Sequence, residues 1–125
     1  MNFYLILEII VLVEASAPGQ VGHNGEHSKY QIKPIALLEV NEYLHEENEE
    51  KYIKHEDLKG IENEALAQLV GRTYLKILNK KYKCNTTEKL VRCYNGGLRG
   101  YLKKSTRDYW QRFKEHAKKR GIEIK

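Results

Sequence analysis

The chain opens MNFYLILEIIVLVEASAP, and this stretch constrains the fold more than any other. Leu5, Ile9, Leu12 and Val13 recur at helical spacing, and Ile6, Ile10 and Val11 widen the stripe until the helix is apolar nearly all round. Such a helix has no face to offer water, so it belongs at the centre of a helical domain. Pro18-Gly19 stops it near Ser16. The stretch also has the outline of a signal peptide, with Ala15-Ser16-Ala17 at its end. Against that reading stand the lack of a basic leading region, Glu8 inside the apolar run, and Pro18 directly after the cut. It is too short and too charged to span a membrane. We read it as a buried first helix rather than a leader.

The rest of the pattern is also mostly helical. A second helix is expected from Pro34 to about Leu44, with Ile35, Leu38 and Val40 inward. Residues 45–60 are polar and acidic and read as a surface loop with a short helix. Ile61, Ala65, Leu66, Leu69, Val70, Tyr74, Ile77, Leu78 and Tyr82 mark the longest helix. Asn85 followed by Glu88 reads as a capping box for a fourth helix, which stops at Gly96-Gly97. A basic loop over 98–104 leads to a last helix from Ser105, whose apolar face is Thr106, Tyr109, Trp110, Phe113 and Ala117. Asn24-Gly25 is a hairpin signal, because both central residues of the tight turn need positive φ. The expected fold class is therefore mostly α (α+β): about five or six helices around Ile61–Tyr82 and one small β-hairpin at 20–32. At 125 residues the chain reads as a single domain spanning 1–125.

Charge is distributed unevenly. Residues 65–125 carry seventeen basic and four acidic side chains, whereas 41–64 carry three and nine. A cationic C-terminal half favours an anionic polymer as partner, either a nucleic acid or an anionic cell wall. Cys84 and Cys93 are the only cysteines. With Asn85 capping a helix that runs through Cys93, the thiols would lie roughly 12 Å or more apart, too far for a disulfide. Two free thiols are expected. No residues have the spacing of a metal site, and no cofactor is indicated.

Glu14 stands out as the candidate for chemistry. It sits near the C-terminal end of the apolar helix, behind Val11, Leu12 and Val13. Desolvation there, and the negative end of the helix dipole, both favour the protonated carboxyl. A carboxyl kept protonated near neutral pH is what general-acid cleavage of a glycoside requires. The plain alternative is a solvated helix-end carboxylate.

Five motifs in order then resemble one family. Val13-Glu14-Ala15-Ser16 precedes Gly22-His23-Asn24-Gly25 and Tyr30-Gln31-Ile32-x-Pro34. Tyr94-Asn95-Gly96-Gly97 follows, and then Leu98-Arg99-Gly100-Tyr101 through Thr106-x-x-Tyr109-Trp110. Together they resemble the lysozyme-like lytic transglycosylases of the goose-type lysozyme superfamily, over roughly residues 5–115. The chain departs from the family pattern at Ala15, His23, Ser28-Lys29-Tyr30 and Leu98.

The resemblance implies a lysozyme-like fold and a peptidoglycan-cleaving, bacteriolytic glycosidase with Glu14 as catalytic acid. It implies a sugar groove formed by Ser16, Tyr30, Gln31, Tyr94, Asn95 and Tyr109. Peptidoglycan glycan strands are the implied partner, met at the cell wall by a monomer. A hydrolase normally uses two carboxylates, whereas a lytic transglycosylase needs one residue acting as acid and then as base. Glu26 is the one plausible second carboxylate in the active-site stretch. The one-Glu route is favoured, and hydrolysis stays open. Two alternatives remain: a catalytically weak cell-wall-binding relative, and a basic helical nucleic-acid-binding protein with Tyr101, Tyr109 and Trp110 among its basic residues.

Overall fold

In the computed structural model, α1 (Phe3–Ser16) lies against three other helices, and its side chains show why. Ile6, Leu7, Ile9, Ile10 and Val13 are all buried, and Phe3, Leu5 and Val11 pack on the rim of the same core. Each buried aliphatic side chain contributes about 1.5–3 kcal/mol relative to exposure. The partners are α3 (Glu64–Lys80), α4 (Thr87–Gly96) and α5 (Thr106–Lys119); α2 (Pro34–Glu46) packs on α3. Glu8, within the apolar run, points to solvent, where its carboxylate lies 3.7 Å from Arg120. The structure describes residues 2–16, 30–46, 53–58 and 63–124. Among these it has five α-helices, short 3-10 turns at His55–Leu58 and Gly100–Leu102, and no strand. The expected mainly helical class holds. The hairpin expected around Asn24-Gly25 lies outside the described residues, apart from 30–32, which form no strand.

The helical faces follow the sequence unevenly. In α5 the expected face of Thr106, Tyr109, Trp110, Phe113 and Ala117 is the buried one. In α2 the expected inner face is corrected. Ile35 and Leu38 are 44% and 46% exposed, while Ala36, Leu37 and Val40 face the core. Asn41 is buried beside them because it exchanges two hydrogen bonds with the backbone of Ile53, at 2.8 and 2.9 Å, and so anchors the 53–58 segment. In α3, Val70, Tyr74, Ile77 and Leu78 are buried as expected, but Leu69 is 43% exposed. Tyr82 lies beyond the helix end, half-buried, and donates to Glu39 Oε1 at 2.6 Å.

α4 begins one residue later than its expected capping box. Thr86, not Asn85, is the N-cap, and its Oγ1 accepts from Lys89 N at 3.2 Å. Cys84 is therefore in the turn between α3 and α4 rather than beside α4's first residues. There its N–H bonds to Leu78 O at 3.0 Å. The turn folds Cys84 back onto α4, and its Sγ lies 3.4 Å from Cys93 Sγ. Both thiols are free, as expected. The expected separation of 12 Å is wrong because it took the helix axis to run through Cys84.

α4 ends at Gly97, whose φ of +91° is the left-handed region that glycine enters without a steric penalty. The basic segment that follows returns across α4 at Gly100, where a Cβ would sit 2.2 Å from the Arg92 carbonyl oxygen. No side chain fits that approach. Arg92 fixes the crossing from inside. Its guanidinium donates to Thr106 Oγ1 at 2.8 Å, to Glu88 Oε2 at 2.8 Å and to Lys103 O at 2.9 Å. A buried guanidinium is tolerated because its donors are paired in this way. The result sets the start of α5, and with it Tyr109, against the end of α1.

Candidate functional site

The site lies at the C-terminal end of α1. Val13 is in the core and Glu14, the next residue, is 9% exposed. Its Oε1 accepts a hydrogen bond of 2.8 Å from the hydroxyl of Tyr109, one turn into α5. Tyr109 is itself 3% exposed. Burial pushes its hydroxyl well above the ordinary value, and the neighbouring Glu14 charge pushes it in the same direction. Tyr109 therefore remains a donor at neutral pH and beyond the pH at which an ordinary tyrosine ionises.

Tyr94 forms the second wall. Burial raises its hydroxyl well above the ordinary value, and the nearest contributing charge is again Glu14. Its proton goes to the Tyr30 carbonyl oxygen at 2.6 Å. Its ring is tilted against Tyr74 on α3, with centroids 5.7 Å apart. Tyr74 too is held protonated, chiefly by burial. The carboxyl of Glu14 is thus set beside two neutral phenols, Tyr109 of α5 and Tyr94 of α4.

The 30–33 segment is tied to the same place. Tyr30 and Ile32 are buried, and between them Gln31 takes a φ of +50°. A residue with a side chain pays roughly 1–2 kcal/mol for that left-handed conformation. The packing of its two neighbours maintains it. Lys33 Nζ donates to the Asn95 carbonyl oxygen at the end of α4. Gln31 and Asn95 are both half-buried.

Of the residues expected at the site, the structure brings Glu14, Tyr30, Gln31, Tyr94, Asn95 and Tyr109 to this one end of the helical core. It sorts them by depth. Tyr94 and Tyr109 are held behind the carboxyl, and Tyr30 contributes its backbone to that support. Gln31 and Asn95 are the more accessible pair. The side chain of Ser16 and the whole of Glu26 lie outside the described residues. Sequence reasoning missed Lys33, which no motif singled out; Tyr74, read from the sequence as an inward residue of α3, lies in the core.

It also missed a second buried carboxylate, Glu39, which accepts from Tyr82 at 2.6 Å. There the Lys81 ammonium stands 3.6 Å from Glu39 Oε2, and that carboxylate raises the pKa of Lys81.

A cavity of about 630 Å³ opens at the other end of α1, lined by Phe3, Tyr4, Leu69, Arg72 and Lys76 among others, and among the described residues no carboxylate lines it. Among the described residues no cluster of histidine, cysteine or carboxylate side chains is able to hold a metal. No helix among them is long and apolar enough to cross a membrane. Compared with protein-family models, curated proteins and solved structures, the chain gives no match.

Proposed function

We propose that the protein is a peptidoglycan-cleaving glycosidase with a lysozyme-like fold. It cuts the β-1,4 bond between N-acetylmuramic acid and N-acetylglucosamine, with Glu14 as its single general acid and base. The observation that carries this reading is the Glu14–Tyr109 pair: a carboxyl at the end of an apolar helix, 9% exposed, with Oε1 fixed by a buried phenol at 2.8 Å.

A residue that gives a proton and then takes one back must visit both states. Burial and the helix C-terminus favour the neutral carboxyl, whereas the Tyr109 hydrogen bond favours the carboxylate. The two influences oppose each other. In the first step Glu14 gives its proton to the glycosidic oxygen as the C1–O bond breaks. In the second, the carboxylate takes the proton of the muramic acid 6-hydroxyl as that oxygen closes on C1, giving a 1,6-anhydro end. Gln31 and Asn95, half-buried and next in the chain to Tyr30 and Tyr94, hold the sugar. The protein works as a monomer on glycan strands, and its cationic C-terminal half adds salt-sensitive attraction to the anionic wall.

The nucleic-acid alternative rested on the cationic C-terminal half and on Tyr101, Tyr109 and Trp110 among its basic residues; Tyr101 is half-buried, and the other two are deeper. Tyr109 and Trp110 are 3% and 9% exposed, and Trp110 stacks on Phe113 with centroids 5.5 Å apart. Rings held in the core do not offer a face to bases. The test is digestion of purified peptidoglycan with mass analysis of the soluble products. Anhydro-muramic ends support the proposal in full; reducing ends support the glycosidase by a hydrolytic route. Peptidoglycan left intact by the folded protein rejects it.

A further inference from the structure

After α3 the chain turns through residues 81–86 before Thr86 caps α4. Two hydrogen bonds hold Cys84 in this turn: its N–H to Leu78 O at 3.0 Å, and Asn79 Nδ2 to its carbonyl at 3.1 Å. The turn delivers Cys84 Sγ to 3.4 Å from Cys93 Sγ, the only other sulfur of a cysteine in the chain. Both are free, and at 1% and 0% exposure both are shielded from water. An S–S bond is about 2.05 Å, so a shift of about 1.4 Å joins them.

We infer that Cys84 and Cys93 form a cross-linking site: when the chain folds in the presence of a low-molecular-weight disulfide, they form a bond that staples the 81–86 turn to the middle of α4. The oxidant is a compound such as oxidised glutathione. The Cys84 thiolate attacks one of its sulfurs and expels one small thiol, leaving a mixed disulfide on Cys84. The Cys93 thiolate then attacks Cys84 Sγ and expels the second. The two protein thiols lose two electrons and two protons, and the small disulfide gains both, leaving as two thiols.

Burial pushes the Cys84 thiol up to about 12 and shields both sulfurs from an oxidant, so the reduced pair does not react in the folded chain. The cross-link therefore forms while the turn is open, during folding. Cys93 is bonded to Tyr94, whose hydroxyl holds Tyr30, so the staple also braces the base of the carboxyl site. The alternative is two cysteines packed as small apolar side chains with no covalent role.

The test refolds the full chain from denaturant with oxidised glutathione, or with reductant. Each product is alkylated under denaturing conditions and its intact mass measured. The inference predicts a monomer two hydrogens lighter than the reduced chain, without alkyl groups, and restored to two alkylatable thiols by dithiothreitol. A peptide map should contain Cys84 joined to Cys93. The cross-linked form should melt at least about 5 °C above the reduced one, a difference absent from Cys84→Ala and Cys93→Ala. Two alkylated thiols after oxidative refolding, stable glutathione adducts, or disulfide-linked dimers overturn it. The peptide map decides even where neither alanine variant folds.

Discussion

The hydroxyl of Tyr109 donates to Glu14 Oε1 at 2.8 Å, joining the end of the first helix to the start of the last across 95 residues of sequence. Both groups are buried, so the bond works in a medium where it is stronger than in water. Its geometry depends on residues remote from the carboxyl. Arg92 and Gly100 set the entry of α5, and the apolar surface of α1 sets the position of Glu14.

Tyr109→Phe keeps the ring and removes only the donor. A hydrogen bond to a charged group is worth about 1.5–3 kcal/mol, and 1.4 kcal/mol is a factor of ten in rate. The expected result is a loss of about tenfold or more in kcat with KM little changed. The alkaline limb of the pH–rate profile, where Glu14 loses the proton it must give, should also move to higher pH, because the charged form of Glu14 has lost a stabilising donor. An unchanged profile together with a lowered melting temperature would reduce Tyr109 to a packing residue.

Tyr74, Tyr94 and Tyr109 are held protonated above their ordinary value of 10.0, chiefly by burial. Folding therefore favours their neutral form. The stability they supply is fully present below about pH 10 and declines as pH rises beyond it. In an alkaline titration followed by tyrosinate absorbance, these three should ionise only as the protein unfolds. Reversible ionisation of all nine tyrosines in a folded chain is the contrary result.

Gly100→Ala places a Cβ 2.2 Å from the Arg92 carbonyl oxygen, a backbone atom that has no rotamer to escape into. Overpacking of this kind costs about 1–3 kcal/mol, and a clash with backbone belongs at the upper end. Denaturant unfolding should show a loss of at least about 2 kcal/mol. A variant as stable as the parent would mean that the 98–104 segment relaxes away from α4.

What the sequence disclosed depended on how strongly each residue was constrained. The α5 face was legible because Tyr109, Trp110, Phe113 and Ala117 fall at one helical spacing and are separated by charged residues. α1 was legible because it is apolar all round. The α2 face was not: Ile35, Leu37, Leu38 and Val40 offer two overlapping stripes, and only the docking of Asn41 onto Ile53 selects one. The α4 cap was misread by one residue because Asn85, Thr86 and Thr87 can each cap a helix. That one residue left Cys84 apparently on the helix axis. The burial of the Glu14 carboxyl was legible from its place at an apolar helix end. The depth of Tyr94 and Tyr109 was not, since a motif names residue types without saying which side of the carboxyl they occupy.

The central claim is that Glu14 moves the proton, and the most direct measurement is peptidoglycan solubilisation by purified Glu14→Gln. Glutamine keeps the size and an oxygen to accept from Tyr109, but it has no acidic proton for the leaving oxygen. General acid–base catalysis contributes roughly 10²–10⁴-fold, so the rate should fall by at least about two orders of magnitude while circular dichroism shows an intact helical fold. Glu8→Gln, at an exposed carboxylate, and Glu39→Gln, at the carboxylate beside Lys81, should keep their rates within a few-fold of the parent. A folded Glu14→Gln protein that dissolves peptidoglycan at the parental rate would contradict the account.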